Sequence, residues 1–186
     1  MKKRKIVFDV DDTLWSLNKR VCKEINIPYE NIITFSVYEN PLLTDAEKEK
    51  LIAAYGNPEY FKNIQWFDGI ERIIDLNADV YFHSNSMNVQ CSKYKRKELR
   101  KVLDIPDDHI IIENMREKKI DTDTFIFVDD AVHNILASNA EYNIMIRTPW
   151  NQSICVKELL KKNVIVCENL NQVIDMIEEI LEENVD

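Results

Sequence analysis

Apolar positions along this chain follow two rhythms. Short, nearly unbroken apolar runs recur at Ile6-Val7-Phe8, Val80-Tyr81-Phe82, Ile110-Ile111-Ile112, Phe125-Ile126-Phe127-Val128, Asn143 to Ile146 and Val164-Ile165-Val166. Runs this short, bounded by polar residues, read as strands buried on both faces of a parallel sheet. Between them, apolar residues three and four apart predict helices. Leu17 to Asn26 carries Val21 and Ile25 four apart, with Pro28 as its stop. Ile70 to Leu76, a basic segment ending near Leu103, and Val132 to Ala140 follow. The tail, Leu170 to Glu183, gathers Val173, Ile174, Ile177, Ile180 and Leu181 on one face. Alternating strands and helices imply a parallel sheet with right-handed crossovers. The expected class is α/β, a three-layer Rossmann-like core with its sheet flanked by helices.

Residues 15–69 break that alternation. Thr44 is placed to cap a helix, and Glu47 stands three residues on in capping-box position. The helix is expected to run through Leu51 and Ile52 and to stop at Gly56. Phe35, Tyr38, Tyr55, Tyr60, Phe61, Trp66 and Phe67 crowd the same stretch. The segment reads as a small helical cap inserted into a core formed by residues 1–14 and 70–186.

Composition narrows the function. An apolar fraction of 45% over 186 residues supports one domain with a real core. The formal net charge of −9 disfavours a polynucleotide partner, because phosphate neutralisation needs clustered cations. The basic cluster Lys93 to Lys101 reads as a solvated helix face. Gly56 and Gly69 are the only glycines, which leaves no glycine-rich phosphate loop. Cys22, Cys91, Cys155 and Cys167 form no CxxC pair and have no histidine at ligand spacing, which argues against zinc and for reduced, mostly buried thiols in a cytoplasmic protein. Met-Lys-Lys-Arg-Lys leads straight into a strand rather than into a signal peptide. No apolar run reaches the roughly 18 residues of a membrane span, so no membrane partner is expected.

The chemistry lies where strands stop at acid. Ile6-Val7-Phe8 runs into Asp9, Asp11, Asp12 and Thr13, and Phe125 to Val128 runs into Asp129 and Asp130. Open parallel sheets bind ligands at the carboxyl ends of their strands. Two such ends side by side gather up to five carboxylates, a charge density that implies a divalent cation. The second strand, Ala78 to His83, is expected to stop at Ser84-Asn85-Ser86. Lys118 and Lys119 precede the fourth strand. His83 and His133 flank the predicted site as structural neighbours.

This set in this order, acid-x-acid-x-Thr, then Ser, then Lys, then a pair of acids, resembles the haloacid dehalogenase (HAD) superfamily of phosphotransferases. The resemblance implies a magnesium-dependent phosphomonoester hydrolase that works through an aspartyl-phosphate. Asp9 would be the nucleophile. Asp11 would be the acid/base and would offer its backbone carbonyl to the metal. Thr13 would brace the loop. Ser84, with Asn85 in support, and Lys119, with Lys118 as the second choice, would bind phosphate. Asp129 and Asp130 would complete the magnesium site with Asp9 and Asp11. Pro58-Glu59-Tyr60-Phe61-Lys62-Asn63-Ile64 leading to Gly69, Val80-Tyr81-Phe82 before Ser84, Lys93-Tyr94, Lys119 and the Asp129-Asp130 pair further resemble the deoxyribonucleotidases, the type C 5′-nucleotidases. That family acts on nucleoside monophosphates under a small helical cap; it usually has Gly where Asp12 stands and Thr where Ser84 stands.

Other readings predict different features. A phosphoacceptor receiver would place its acceptor Asp at the end of the third strand, where this chain reads Ile110-Ile111-Ile112-Glu113. A phosphatase on nucleic-acid ends meets the acidic charge. A phosphatase on another small metabolite, and a binding-only module that has lost catalysis, complete the alternatives. The expected partner is a small phosphorylated substrate.

Overall fold

The structure, a computed structural model, describes residues 3–114, 120–154, 159 and 163–184. Six parallel strands form one sheet: β1 (Lys5–Phe8), β2 (Asp79–Ser86), β3 (Ile110–Asn114), β4 (Ile126–Asp129), β5 (Tyr142–Ile146) and β6 (Val164–Cys167), in spatial order β3-β2-β1-β4-β5-β6. Among the described residues, the α-helices that accompany them are α1 (Leu17–Ile25), α2 (Asp45–Tyr55), α3 (Val89–Val102), α4 (Val132–Ala137) and α5 (Leu170–Glu183).

The apolar runs are long because both faces of each strand are covered. Ile6 and Phe8 enter the larger core cluster, and Val7 between them enters the other. Ile126 and Val128 divide from Phe127 in the same way, and Ile144 and Ile146 from Met145. Val173, Ile174, Ile177 and Ile180 of α5 close the larger cluster, and Ile135 of α4 packs in the smaller. Leu51 and Ala54 of α2 and Phe61 also belong to the larger cluster, so the insertion shares its core with the sheet.

Local chemistry sets the helix ends. The capping box at α2 forms as the sequence predicts: Glu47 N donates to Thr44 Oγ1, and Thr44 N donates to Glu47 Oε2 at 2.8 Å. Asn26 closes α1 in the left-handed conformation with φ 61°, and Pro28 follows. Among the described residues no helix is long and apolar enough to cross a membrane. Cys22, Cys91 and Cys167 are buried free thiols, and burial pushes Cys22 and Cys167 up to about 11. Cys155 lies outside the described residues.

Three expected boundaries change. Ile70–Asp75 is a 3₁₀ segment rather than an α-helix. It starts from Gly69 at φ 93°, and the bonds at its two ends close three residues apart, from the Arg72 amide to the Gly69 carbonyl at 3.0 Å and from the Leu76 amide to the Ile73 carbonyl at 3.4 Å. The helix expected to reach Ala140 ends at Ala137. β2 does not stop at His83: Ser84, Asn85 and Ser86 pair in register with Ile112, Glu113 and Asn114 of β3. Ser84 and Asn85 are thereby held by a sheet ladder rather than by a free loop.

Gly69 fixes how the insertion returns to the core. A Cβ there would lie 2.3 Å from Asn171 Oδ1 on α5, and Arg72 holds that same oxygen at 3.3 Å. Gly69→Ala is expected to lower Tm by about 2–8 °C, because left-handed backbone costs an L-residue roughly 1–2 kcal/mol. Differential scanning calorimetry measures it; an unchanged Tm would contradict the assigned backbone.

Candidate active site

Parallel pairing brings the two acid-terminated strands together. β1 and β4 are neighbours with Phe8 opposite Val128, and the Asp9 amide continues that ladder into the Val128 carbonyl at 2.8 Å. Asp9, Asp129 and Asp130 therefore leave the sheet at one edge. Each is at most 4% exposed, and one carboxylate oxygen from each lies within 4.8 Å of the other two. Neighbouring groups aim these carboxylates. Asp129 Oδ1 accepts from the Ala131 amide at 2.7 Å, and Oδ2 from Asn134 Nδ2 at 3.0 Å. Asp130 Oδ2 accepts from Trp150 Nε1 at 2.7 Å. Asn151 Nδ2 donates to the Asp130 carbonyl at 2.9 Å and to the Ile146 carbonyl at 2.8 Å, tying the loop to the end of β5.

Asp11 stands apart from those three carboxylates. Its Oδ1 accepts from Trp15 Nε1 at 2.7 Å, and its Oδ2 accepts from the Lys95 ammonium. Trp15 is fully buried and stacks edge-on against Trp66 at 4.8 Å, which anchors the loop in the core. Burial pushes the Asp11 carboxyl above the usual carboxylate range; the Lys95 ammonium opposes that push and the Asp9 charge adds to it. Burial drives Asp12 well above its ordinary value, the Asp11 charge adds to this, and hydrogen bonds from Asn18 oppose it. Thr13 is buried in the same loop, its hydroxyl without a partner among the described residues.

Lys95 joins the two arms of the site. Only 1% exposed, it donates to Asp11 Oδ2, to Ser84 Oγ at 3.0 Å and to the Asn85 carbonyl, over the ring of Phe61. The basic segment is therefore not a uniformly solvated face: Lys93, Lys97, Arg100 and Lys101 are exposed, whereas Lys95 points inward. Its spacing carried that signal. Cys91, Lys95 and Leu99 recur at intervals of four, and all three are buried on one face of α3. Sequence reading also passed over Trp150 and Asn151, which follow Thr148-Pro149 and hold Asp130.

The arms enclose a cavity of about 530 Å³ lined by the five acids, Ser84, Asn85 and Lys95. Asn18, Phe35, Tyr55, Met87 and His133 also line it, and the Phe35 ring meets His133 edge-on at 4.5 Å. The structure thus gathers Asp9, Asp11, Ser84, Asn85, Asp129 and Asp130 around one space. Thr13 sits behind them in the loop. Lys118 and Lys119 lie outside the described residues. His83 is buried within β2, and His133 lies at the cavity wall.

No protein-family model matches the sequence. No curated protein matches it either. Solved structures do share its fold. A hydrolase from Pseudomonas syringae superposes with a TM-score of 0.54 at 17% identity, covering 96% of this chain and 99% of that one. A haloacid dehalogenase-like hydrolase from Xanthomonas campestris gives 0.53 at 10% identity, with coverage of 98% and 99%. A HAD hydrolase from Bacillus subtilis, solved bound to magnesium, gives 0.52 at 16% identity, with coverage of 95% and 99%. The chain has the α/β Rossmann-like fold of the HAD hydrolases.

Proposed function

We propose that this protein is a magnesium-dependent phosphomonoester hydrolase that forms an aspartyl-phosphate on Asp9. The observation that carries the reading is the buried convergence of Asp9, Asp129 and Asp130 within 4.8 Å, beside Asp11 and a hydroxyl–ammonium pair. Oxygen-only donors suit a hard dication, and three anions gathered at one buried point favour its binding. Asp9, Asp129 and Asp130 would hold magnesium, with the Asp11 carbonyl as a further oxygen donor. Bound there, magnesium supplies charge screening between the Asp9 carboxylate and the phosphoryl oxygens.

The chain's own groups carry the remaining steps. Asp9 attacks phosphorus and displaces the leaving oxygen, dividing one hard displacement into two easier ones. Asp11 protonates that oxygen and then takes a proton from the water that cleaves the aspartyl-phosphate. A carboxyl raised by burial suits the first task, and the Trp15 and Lys95 contacts fix its direction. Ser84 and Lys95 stabilise charge on the phosphoryl oxygens, with Asn85 completing that arm and Thr13 bracing the nucleophile loop. Lys119 is the further cation that the superfamily resemblance implies.

Residues 15–69 act as the cap that selects the leaving group. Phe35 and Tyr55 from this segment line the cavity, whose volume falls in the ordinary range for small-molecule sites. A (deoxy)nucleoside 5′-monophosphate fits such a space, phosphate at the acids and base toward Phe35 and Tyr55. A release screen over nucleoside monophosphates, sugar phosphates and small phosphorylated acids tests this. Magnesium-dependent release, lost with EDTA and restored by excess magnesium, is expected, with nucleotides the best substrates. Release untouched by EDTA would contradict the metal site, and preference for a phosphorylated acid would contradict the nucleotide.

A further inference from the structure

Asp12 has no part in the chemistry proposed above, yet it is the residue most constrained in the loop. Its backbone is left-handed at φ 58°, and it is 3% exposed. Such a conformation is costly for a side-chain-bearing residue unless contacts hold it there. The contacts are specific. Asp12 Oδ1 accepts from the Asn18 amide at 3.1 Å, and Oδ2 accepts from Asn18 Nδ2 at 2.8 Å. Ser16, the residue that flanks α1, makes no side-chain cap, so Asp12 supplies the acceptor for that helix start from four residues upstream. Asn18 Oδ1 in turn accepts from the Tyr55 hydroxyl.

Tyr55 ends α2, and that end is fastened to the other arm of the site. The Tyr55 carbonyl accepts from Cys91 Sγ at 3.6 Å, and the next carbonyl, of Gly56, accepts from Asn88 Nδ2 at 2.8 Å. Asn88 caps α3, the helix that carries Lys95, through the Cys91 amide at 3.0 Å. A continuous chain thus runs from Asp12, next to Asp11, through Asn18 and Tyr55 to the start of α3. It forms part of the cavity wall, which Asp12, Asn18 and Tyr55 all line.

We propose that Asp12, Asn18 and Tyr55 form a positioning chain by which the cap sets the reach of Asp11 and Lys95 toward the phosphoryl group. The inference rests on the hydrolase reading for its kinetic consequence, though not for the contacts. Asp12 N donates to the Trp15 carbonyl at 2.8 Å, and Trp15 Nε1 donates to Asp11, so a shift of Asp12 moves both ends of the short turn that orients the acid. Removing a group that orients a reacting group costs about 10- to 100-fold in activity.

The test uses the full chain with Tyr55→Phe, Asp12→Gly, their double variant and Asp12→Asn. Tyr55→Phe removes one hydroxyl. Asp12→Gly keeps the left-handed backbone without the acceptor. With p-nitrophenyl phosphate and magnesium, each of these two is expected to lower kcat about 10-fold and leave KM within about twofold. The double variant is expected to lose no more than either alone, since one chain is broken twice. Asp12→Asn is expected to recover only the part of the loss carried by the Asn18 backbone amide, because Asn tolerates this backbone and its Oδ1 can accept from that amide while its Nδ2 would face the Asn18 Nδ2 donor. Hydrogen exchange read by NMR supplies an arm independent of turnover: the Asn18 amide is expected to exchange faster in Tyr55→Phe. Losses that multiply in the double variant, or a fall in Tm with kcat unchanged, would overturn the proposal. So would unaltered Asn18 protection in Tyr55→Phe. A wild-type protein without turnover would refute the hydrolase reading by itself, and the exchange arm would still decide the chain.

Discussion

Asp9→Asn is expected to cut phosphate release from p-nitrophenyl phosphate by at least about 10³-fold, the scale on which loss of a covalent nucleophile acts. The substitution is nearly isosteric and removes nucleophilicity along with charge. It also relieves one of three anions that meet within 4.8 Å, so the metal-free protein is expected to keep its Tm or gain stability. That combination separates chemistry from folding. Lost turnover with Tm preserved in calorimetry supports Asp9 as the attacking group. Turnover within about tenfold of wild type would remove it from that role.

Lys95→Met is expected to lower kcat/KM by about 10²–10³-fold, the usual effect of deleting one preorganised donor to developing charge. Methionine keeps the length and apolar stem that packs over Phe61 and removes the ammonium that reaches Asp11, Ser84 Oγ and the Asn85 carbonyl. Three acceptors lose their donor together, so both the acid and the phosphate arm loosen. Lys97→Met, two residues along the same helix and exposed, is expected to leave kcat/KM within about twofold. Steady-state kinetics on the pair decide the matter: equal losses would mean that general positive charge on α3 matters, and no loss in Lys95→Met would deny the buried ammonium a place in the chemistry.

These two residues also mark what the sequence reveals and what it hides. Asp9 was legible because the cause is local. An apolar run buried on both faces stops abruptly at acid, and in a parallel sheet such stops share one edge. The same logic marked Asp129 and Asp130, and the amphipathic tail gave α5 to the residue, Leu170–Glu183. Lys95 was obscured by its neighbours. Surrounded by Lys93, Arg96 and Lys97, it reads as one more surface cation, and only its spacing from Cys91 and Leu99 separates it. Ser84 and Asn85 were legible as residue types, but their place inside β2 depends on pairing with β3, a long-range contact that local pattern does not encode. Asp12 shows the same limit. A position where the resembling family usually has Gly looks like a simple departure in sequence, whereas its reason lies in Asn18 and Tyr55, which only the fold brings to it.

A covalent bond between Asp9 and phosphorus is the step on which the proposed hydrolysis depends. Borohydride quenching during turnover, followed by peptide mass spectrometry, tests it directly, because hydride reduces an acyl phosphate to an alcohol at the phosphorylated carboxyl. Substrate-dependent conversion of Asp9 to the alcohol, absent from the Asp9→Asn protein, is expected. Reduction mapped to another acid, or none while phosphate is being released, would contradict it.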